Sequence, residues 1–453
     1  MRTFSRGWTP GRRPLSLLLG PLALVLTVPL LVVTTPSVSG GTVAAAPHVP
    51  FGARASWGPE EVVADTALPT SEHESPAVIR VRPGGSAVAA WIADTTVNSG
   101  PLMVARRRSN GQWTAPLQLV GAPPRGFAAY DVAVGPRGMA SVVWEQRVGD
   151  RWRVKESHLR SGTWTPAQAL GTGIRPRVTI DGRGTTTVVW SGRGIRSARR
   201  AQTGPWRFAA VTRSGTADEL RISSNTDGDV VVAWLHGTLA SSSLRRHGAR
   251  WSEARTWRPA RRDRSFLWGL QTAIGAEGRA LVMWSTTGIW REAQSEYANF
   301  VAWSRSTTSG TWSPSRKLTE SLGEDGGDLT LSMSGSGSAV AAWTQVHRTG
   351  SPSRLWAARF RPDGTWGARL SVASGSARRP AAFMDRHGKA HVVAEVGRRI
   401  LAVEQSSGRP WGTGTVIASG DLFEAAGRAE HLLALYAPRP GSGLRAVAGS
   451  TAR

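Results

Sequence analysis

The sequence predicts an all-β fold, a closed β-propeller of eight four-stranded blades, and three observations carry that prediction. The first is a frame in which Gly is followed six positions later by Trp: Gly85–Trp91, then Gly138–Trp144, Gly184–Trp190, Gly228–Trp234, Gly278–Trp284 and Gly337–Trp343. Each copy runs from a Gly-bearing turn into Val, Ala and Thr, the composition of a hairpin feeding a buried strand. The second is a further Trp after each copy, at Trp113, Trp164, Trp206, Trp251, Trp312 and Trp366. Returns about 40–60 residues apart belong to units that bury their faces against their neighbours. The third concerns the ends. Trp57 opens a fourth-strand-like segment with no strands before it, while the tail supplies three strands and no fourth. Joined, they make one blade and shut the ring; seven blades is the alternative if they do not join.

The elements follow in order. Blade 1 is expected at Ala77–Val81, Ala87–Ala93, Leu102–Arg108 and from Trp113, with Asn110-Gly111 as its last turn, a strong hairpin signal. Blade 2 uses Tyr130–Val134, Ala140–Gln146, Trp152–Leu159 and from Trp164; blade 3 uses Arg177–Ile180, Thr185–Trp190, Ile195–Arg200 and from Trp206. Blade 4 uses Leu220–Ser223, Val230–Leu235, Leu239–Arg246 and from Trp251, and blade 5 uses Leu270–Ile274, Ala280–Ser285, Asn299–Ser306 and from Trp312. Blade 6 uses Leu329–Met333, Ala339–Thr344, Leu355–Arg361 and from Trp366. Blade 7 has decayed, with Ala394 where Trp belongs: Ala381–Met384, Ala390–Ala394, Ile400–Glu404 and from Trp411. Blade 8 combines Leu422–Ala426, His431–Tyr436 and Leu444–Ala448 with the Trp57 strand. Strands alternate in direction, so first–second and third–fourth turns share one face, and the longer, more varied loops occupy the other. Variation gathered on one face of a repeat protein marks that face for binding.

Of the 21 Trp, six close the first frame and eight the second, so most of the indole is committed to repeated packing. The absence of Cys removes disulfides, thiolate metal sites, a Cys nucleophile and a thioether lipid anchor. Formal net charge is +25, and only three of the 56 basic residues are Lys. Such a guanidinium surface attracts polyanions. With no nucleic-acid fold signature beside it, the expected partner is an anionic polysaccharide or cell-wall polymer and not a specific nucleic acid. The protein is expected to be monomeric.

Arg2, Arg6, Arg12 and Arg13 precede an apolar run over residues 15–33 and a small-residue stretch ending Ala44-Ala45-Ala46. That order reads as a secretory signal over residues 1–46, leaving 47–453 as a single exported propeller. The alternative is an uncleaved membrane anchor formed by residues 15–33.

Candidate sites follow from chemistry. Counting seven back from each frame Gly gives an inner-strand ring containing Asp131, Arg177 and Arg221, which places charge on the central channel. Around blade 5, Trp257, Arg261, Arg262, Arg264 and Trp268 precede the inner strand, and Trp290 and Arg291 lie in the expected second–third loop. Indole faces stack on sugar rings and Arg forks grip carboxylate or phosphate, so this patch suits an anionic glycan. Asn225-Thr-Asp227-Gly-Asp229 and Glu324-Asp325-Gly-Gly-Asp328 look acidic enough for calcium but lack full ligand spacing. His387 and His391 straddle a turn. No metal site and no cofactor is expected, and nucleophile elbows, P-loops and dinucleotide fingerprints are absent.

The turns Ser161-Gly-Thr-Trp164, Ser309-Gly-Thr-Trp312 and Asp363-Gly-Thr-Trp366 resemble the Asp-box turns of the sialidase-like (BNR-repeat) propeller group. The departures are that Gly stands two residues before Trp instead of three, and only Asp363 supplies the acid. The resemblance implies a propeller over nearly the whole mature chain, with these turns structural. A sialidase would also require three Arg on a carboxylate, a Tyr nucleophile paired with Glu, and an Asp acid/base. Tyr130, Tyr297 and Tyr436 are the only Tyr, and none fits that role by position. The expectation is therefore a secreted, non-catalytic binder of an anionic extracellular ligand. The alternative is a sialidase-like glycoside hydrolase drawing on Asp94, Glu145 and Glu292.

Overall fold

The structure, a computed structural model, describes residues 55–65, 77–93, 100–121, 127–258, 266–291, 296–319, 321–322, 324–347, 353–439 and 442–451. The proposed signal or anchor lies outside them. The chain from Phe51 to Arg453 forms one unit.

Eight antiparallel sheets make an eight-bladed propeller. The inner strands are Ala77–Val81, Phe127–Val134, Ile174–Ile180, Glu219–Ser224, Phe266–Ile274, Glu324–Met333, Ala377–Met384 and Asp421–Arg428. The eighth sheet is closed by Ala55–Ala64, which lies antiparallel to Leu444–Thr451 from Ala55↔Thr451 to Ala64↔Leu444. Eight blades, and not seven, follow from that pairing.

The frame Trp explain the ring. Trp91, Trp144 and Trp343 are at most 1% exposed. Each frame Trp points back toward the preceding blade and joins the apolar cluster between them, with Trp144 beside Val88, Ala90 and Val104 of blade 1. The later Trp of each blade packs on the same cluster, as Trp164 does there. In blade 8 the frame position is held by Tyr436, in register with Leu422 as Trp144 is with Tyr130. Ala394 holds it in blade 7 and is fully buried.

Two expectations are corrected. In four blades the fourth strand does not start at the later Trp: Trp113, Trp251, Trp312 and Trp366 each form a single bridge with the third strand. The ladder resumes further on, at Leu117 in blade 1 and Leu370 in blade 6. Pro116 and Pro314 stand in two of these intervals and have no N–H to give. In blade 5, the stretch from Ile289 to Arg291 is strand and not loop: Ala280–Arg291 pairs with Glu296–Arg305 through Ile289↔Tyr297 and Arg291↔Glu296. The backbone ladder runs on past Gly288, which is paired with Ala298 and does not turn the chain.

Candidate functional site

Where the eight inner strands converge they enclose a cavity of about 920 Å³. One residue per blade, paired with the residue just before the frame position, forms a ring on its wall: Val78, Asp131, Arg177, Arg221, Gln271, Thr330, Ala381 and Glu424. All eight line the cavity. Side chains two apart on a strand share a face, so Arg80, two beyond Val78, enters the same space. Its Nη1 meets Glu424 Oε1 at 2.7 Å and its Nη2 meets Asp131 Oδ1 at 3.2 Å. One cation thus ties blades 8, 1 and 2 together. Burial works against the charge on Arg80, yet the two carboxylates outweigh it and hold its pKa above the usual arginine value. Both acids are also anchored by main chain. Asp131 accepts from Val132 N–H at 2.9 Å and Val178 N–H at 3.0 Å, and Glu424 accepts from Ile79 N–H at 2.6 Å.

Arg177 is bound differently. Its Nε donates to Leu220 O at 3.1 Å and its Nη1 to Pro176 O at 3.3 Å. Among the described residues it forms no ion pair. Burial, and then the neighbouring Arg221, lower its pKa to about 10, which leaves it cationic at neutral pH. Arg221 pairs with Glu219 at 2.8 Å, and the other oxygen of Glu219 accepts from Leu270 N–H at 3.1 Å. Arg378 and Arg379 reach the same wall from blade 7. The first pairs with Glu395 at 3.0 Å, and the second donates to Leu422 O at 2.7 Å. Charge is therefore dense over blades 7, 8 and 1 to 4, while the ring positions themselves are neutral in blades 1 and 5 to 7.

Asp131, Arg177 and Arg221 thus share one wall. Trp257 is 4% exposed, lies 5.5 Å from Trp284 and 5.2 Å from Trp312 between ring centroids, and donates to Ser313 O at 3.2 Å. That is a position in the core between blades 4 and 5. Trp268 is half-buried on the inner strand of blade 5, in register with Ser285. Two residues before it, Phe266 is 71% exposed. Trp290 and Arg291 end the second strand of that blade, and their side chains lie outside the described residues, as do Arg261, Arg262, Arg264, Asp94 and Glu292. Glu145 is 3% exposed and accepts the Arg175 N–H, which fixes the start of the next inner strand. A Tyr–Glu pair does occur: the Tyr436 hydroxyl donates to Glu60. Burial first, and then Glu60, raise the pKa of that hydroxyl, and its ring packs between blades 7 and 8, so it is not presented as a nucleophile.

Three members of the site escaped the sequence count. Glu424 was missed because its hairpin turns on Arg428-Ala429-Glu430, with Ala429 at φ 57° and no frame Gly to count from. The signal that finds it is Tyr436, read as the frame residue of blade 8. Arg80 and Glu219 sit two residues either side of ring positions and were reachable by strand alternation alone.

No protein-family model matches the sequence, and no curated protein matches it. Solved structures do resemble it in shape. It is similar to polysaccharide lyase Uly1, with 8% identity over 90% of this chain and 94% of that one, at a TM-score of 0.48. It is also similar to the α-L-arabinanase of Penicillium chrysogenum, with 11% identity over 73% and 96% at a TM-score of 0.39. A third is the NanB sialidase of Streptococcus pneumoniae, from the group whose turns the sequence resembles, with 9% identity over 75% and 67% at a TM-score of 0.41.

Proposed function

We propose that this is an exported propeller that binds an anionic extracellular polymer, an acidic glycan or cell-wall polymer, without cleaving it, and that the central cavity holds the polymer's acid group. The observation that carries the reading is Arg177. A half-buried guanidinium with only carbonyl partners, next to a second guanidinium at Arg221, forms a cationic pocket with hydrogen-bond donors to spare. Arg forks match carboxylates in two-point geometry, and a desolvated cation gains most from an anion that replaces lost water. Phe266 and Trp268, two apart where the inner strand of blade 5 begins, supply aromatic faces for sugar rings. In this reading residues 1–46 are a cleaved signal; retention by residues 15–33 would keep the same cavity at a membrane surface.

Calorimetric titration with polygalacturonate tests the proposal. Arg177→Gln is expected to weaken binding about 10- to 100-fold, the worth of a hydrogen bond to a charged group. Unchanged affinity in a folded variant overturns the assignment. Release of fluorophore from sialosides or hexosides by the unmodified protein would replace the binding reading with the hydrolytic one.

A further inference from the structure

On the face of the ring where the short turns lie, the structure places a second cationic pocket that the reading above does not use. It has a volume of about 500 Å³ and is built from the short turns and strand ends of blades 1, 2 and 3. Seven guanidinia line it and no carboxylate does. Two are already spent: Arg107 pairs with Glu61, and Arg200 with Glu156 at 3.1 Å while lying 4.5 Å over the Trp206 ring. Glu156 is fully buried beneath the pocket and also accepts from Ser141 Oγ at 2.9 Å. The other five, Arg82, Arg106, Arg108, Arg137 and Arg160, form no ion pair among the described residues.

Arg82 shows how little these charges compensate one another. One of its terminal nitrogens donates to Met139 O, while its Nε is buried without a hydrogen-bond partner. Burial, and then Arg106, lower its pKa to about 10. The Arg106 guanidinium reaches across to the third–fourth turn of blade 2, its Nη1 3.8 Å from where a Cβ on Gly162 would stand. Arg137 occupies the tip of the first–second turn of blade 2 at φ 54°, a left-handed conformation that strains a side-chain-bearing residue. Strain of this kind persists where the surroundings over-determine it.

We propose that this pocket binds an oligophosphate, a short chain bearing several phosphate groups in series. Five uncompensated guanidinia in so small a volume call for a ligand of equal charge density. A carboxylated sugar brings one charge per ring, and a lone phosphate reaches only part of the set. Adjacent phosphates present successive oxygen pairs to successive Arg forks. The site is independent of the central cavity, so either assignment can fail alone.

The test is titration of the full-length protein with sodium tripolyphosphate, orthophosphate and polygalacturonate. Tripolyphosphate is expected to bind at least about tenfold tighter than orthophosphate and to weaken as salt is raised. R106Q/R137G is expected to lower its affinity at least about tenfold and to leave polygalacturonate binding unchanged. R177Q is expected to do the reverse. Because Gly adopts the left-handed turn without strain, R137G alone should fold with unreduced thermal stability and still weaken tripolyphosphate binding. Tripolyphosphate binding that is no tighter than orthophosphate, survives R106Q/R137G, or is abolished by R177Q overturns the proposal.

Discussion

His391 is a buried imidazole of blade 7 that sits between two carboxylates of its own blade, one of which also holds the closing strand of blade 8. It is 2% exposed, with Nε2 3.3 Å from Asp385 Oδ2 and Nδ1 3.3 Å from Glu404 Oε1, the latter approach lacking hydrogen-bond alignment. Glu404 in turn meets Lys389 Nζ at 2.5 Å and accepts the Ala55 N–H at 2.9 Å, which pins the start of the closing strand of blade 8 to blade 7. Burial disfavours a charged imidazole, but Asp385 and Glu404 prevail and raise its pKa above the ordinary 6.5. Burial likewise opposes ionisation of Glu404, and His391 with Lys389 overcomes it, setting its pKa at about 2. A raised folded pKa gives stability that is complete below 6.5 and lost as pH rises through the raised value. A lowered one gives stability present above 4.5 and lost as pH falls toward about 2. Melting temperature against pH should therefore be highest at about pH 5–6 and decline on both sides. His391→Gln should flatten the alkaline decline; an unaltered profile in that variant would show that the imidazole is not the titrating group.

At the scale of the element, the blade interface is set by the frame Trp. Trp144→Ala would open a hole between blades 1 and 2 in a cluster whose neighbours are fixed by two sheets, and it should cost about 3–5 kcal/mol in denaturant unfolding. Trp411→Ala, at a half-buried site flanking the blade 6–7 cluster, should cost clearly less. Equal costs would mean that the two Trp positions are energetically alike. The sequence displays these elements well because the same burial problem is solved repeatedly with one residue type. It shows strand ends poorly. The later Trp reads as the first residue of a strand, whereas at Trp113, Trp251, Trp312 and Trp366 the backbone makes one bridge and the ring does the packing. Trp290 and Arg291 read as loop, yet the ladder continues from Ser285↔Val301 through Gly288↔Ala298 to Arg291↔Glu296. The ring of Asp131, Arg177 and Arg221 was legible because it hangs on the Gly frame. Glu424 was not, because blade 8 turns without Gly. The pocket of blades 1 to 3 was invisible, because its five unpaired Arg come from turns and strand ends of blades 1 and 2 and share no spacing from the frame residues.

For the molecule as a whole, integrity depends on one seam. Ala55–Ala64 contributes Val63 and Ala64 to the cluster between blades 8 and 1, Trp57 to that between blades 7 and 8, and a full ladder to Leu444–Thr451. It also reaches the next blade: Glu61 pairs with Arg107 and accepts the Trp113 Nε1–H at 2.8 Å. Removing residues 1–65 would leave Leu444–Thr451 as an uncovered edge with a row of unpaired N–H and C=O groups, and such edges recruit other strands. The truncated chain should therefore run as oligomers or aggregates in light scattering, with a lower melting temperature. A synthetic peptide spanning Ala55–Ala64 should restore the scattering profile of the intact protein, since it supplies both the ladder and the carboxylate of Glu61. The same peptide with Glu61→Gln should restore it less well, because Arg107, whose side chain is only 10% exposed, would then lack its charge partner. A truncated protein whose scattering mass per chain and melting temperature match those of the intact protein would show that the ring closes without this strand.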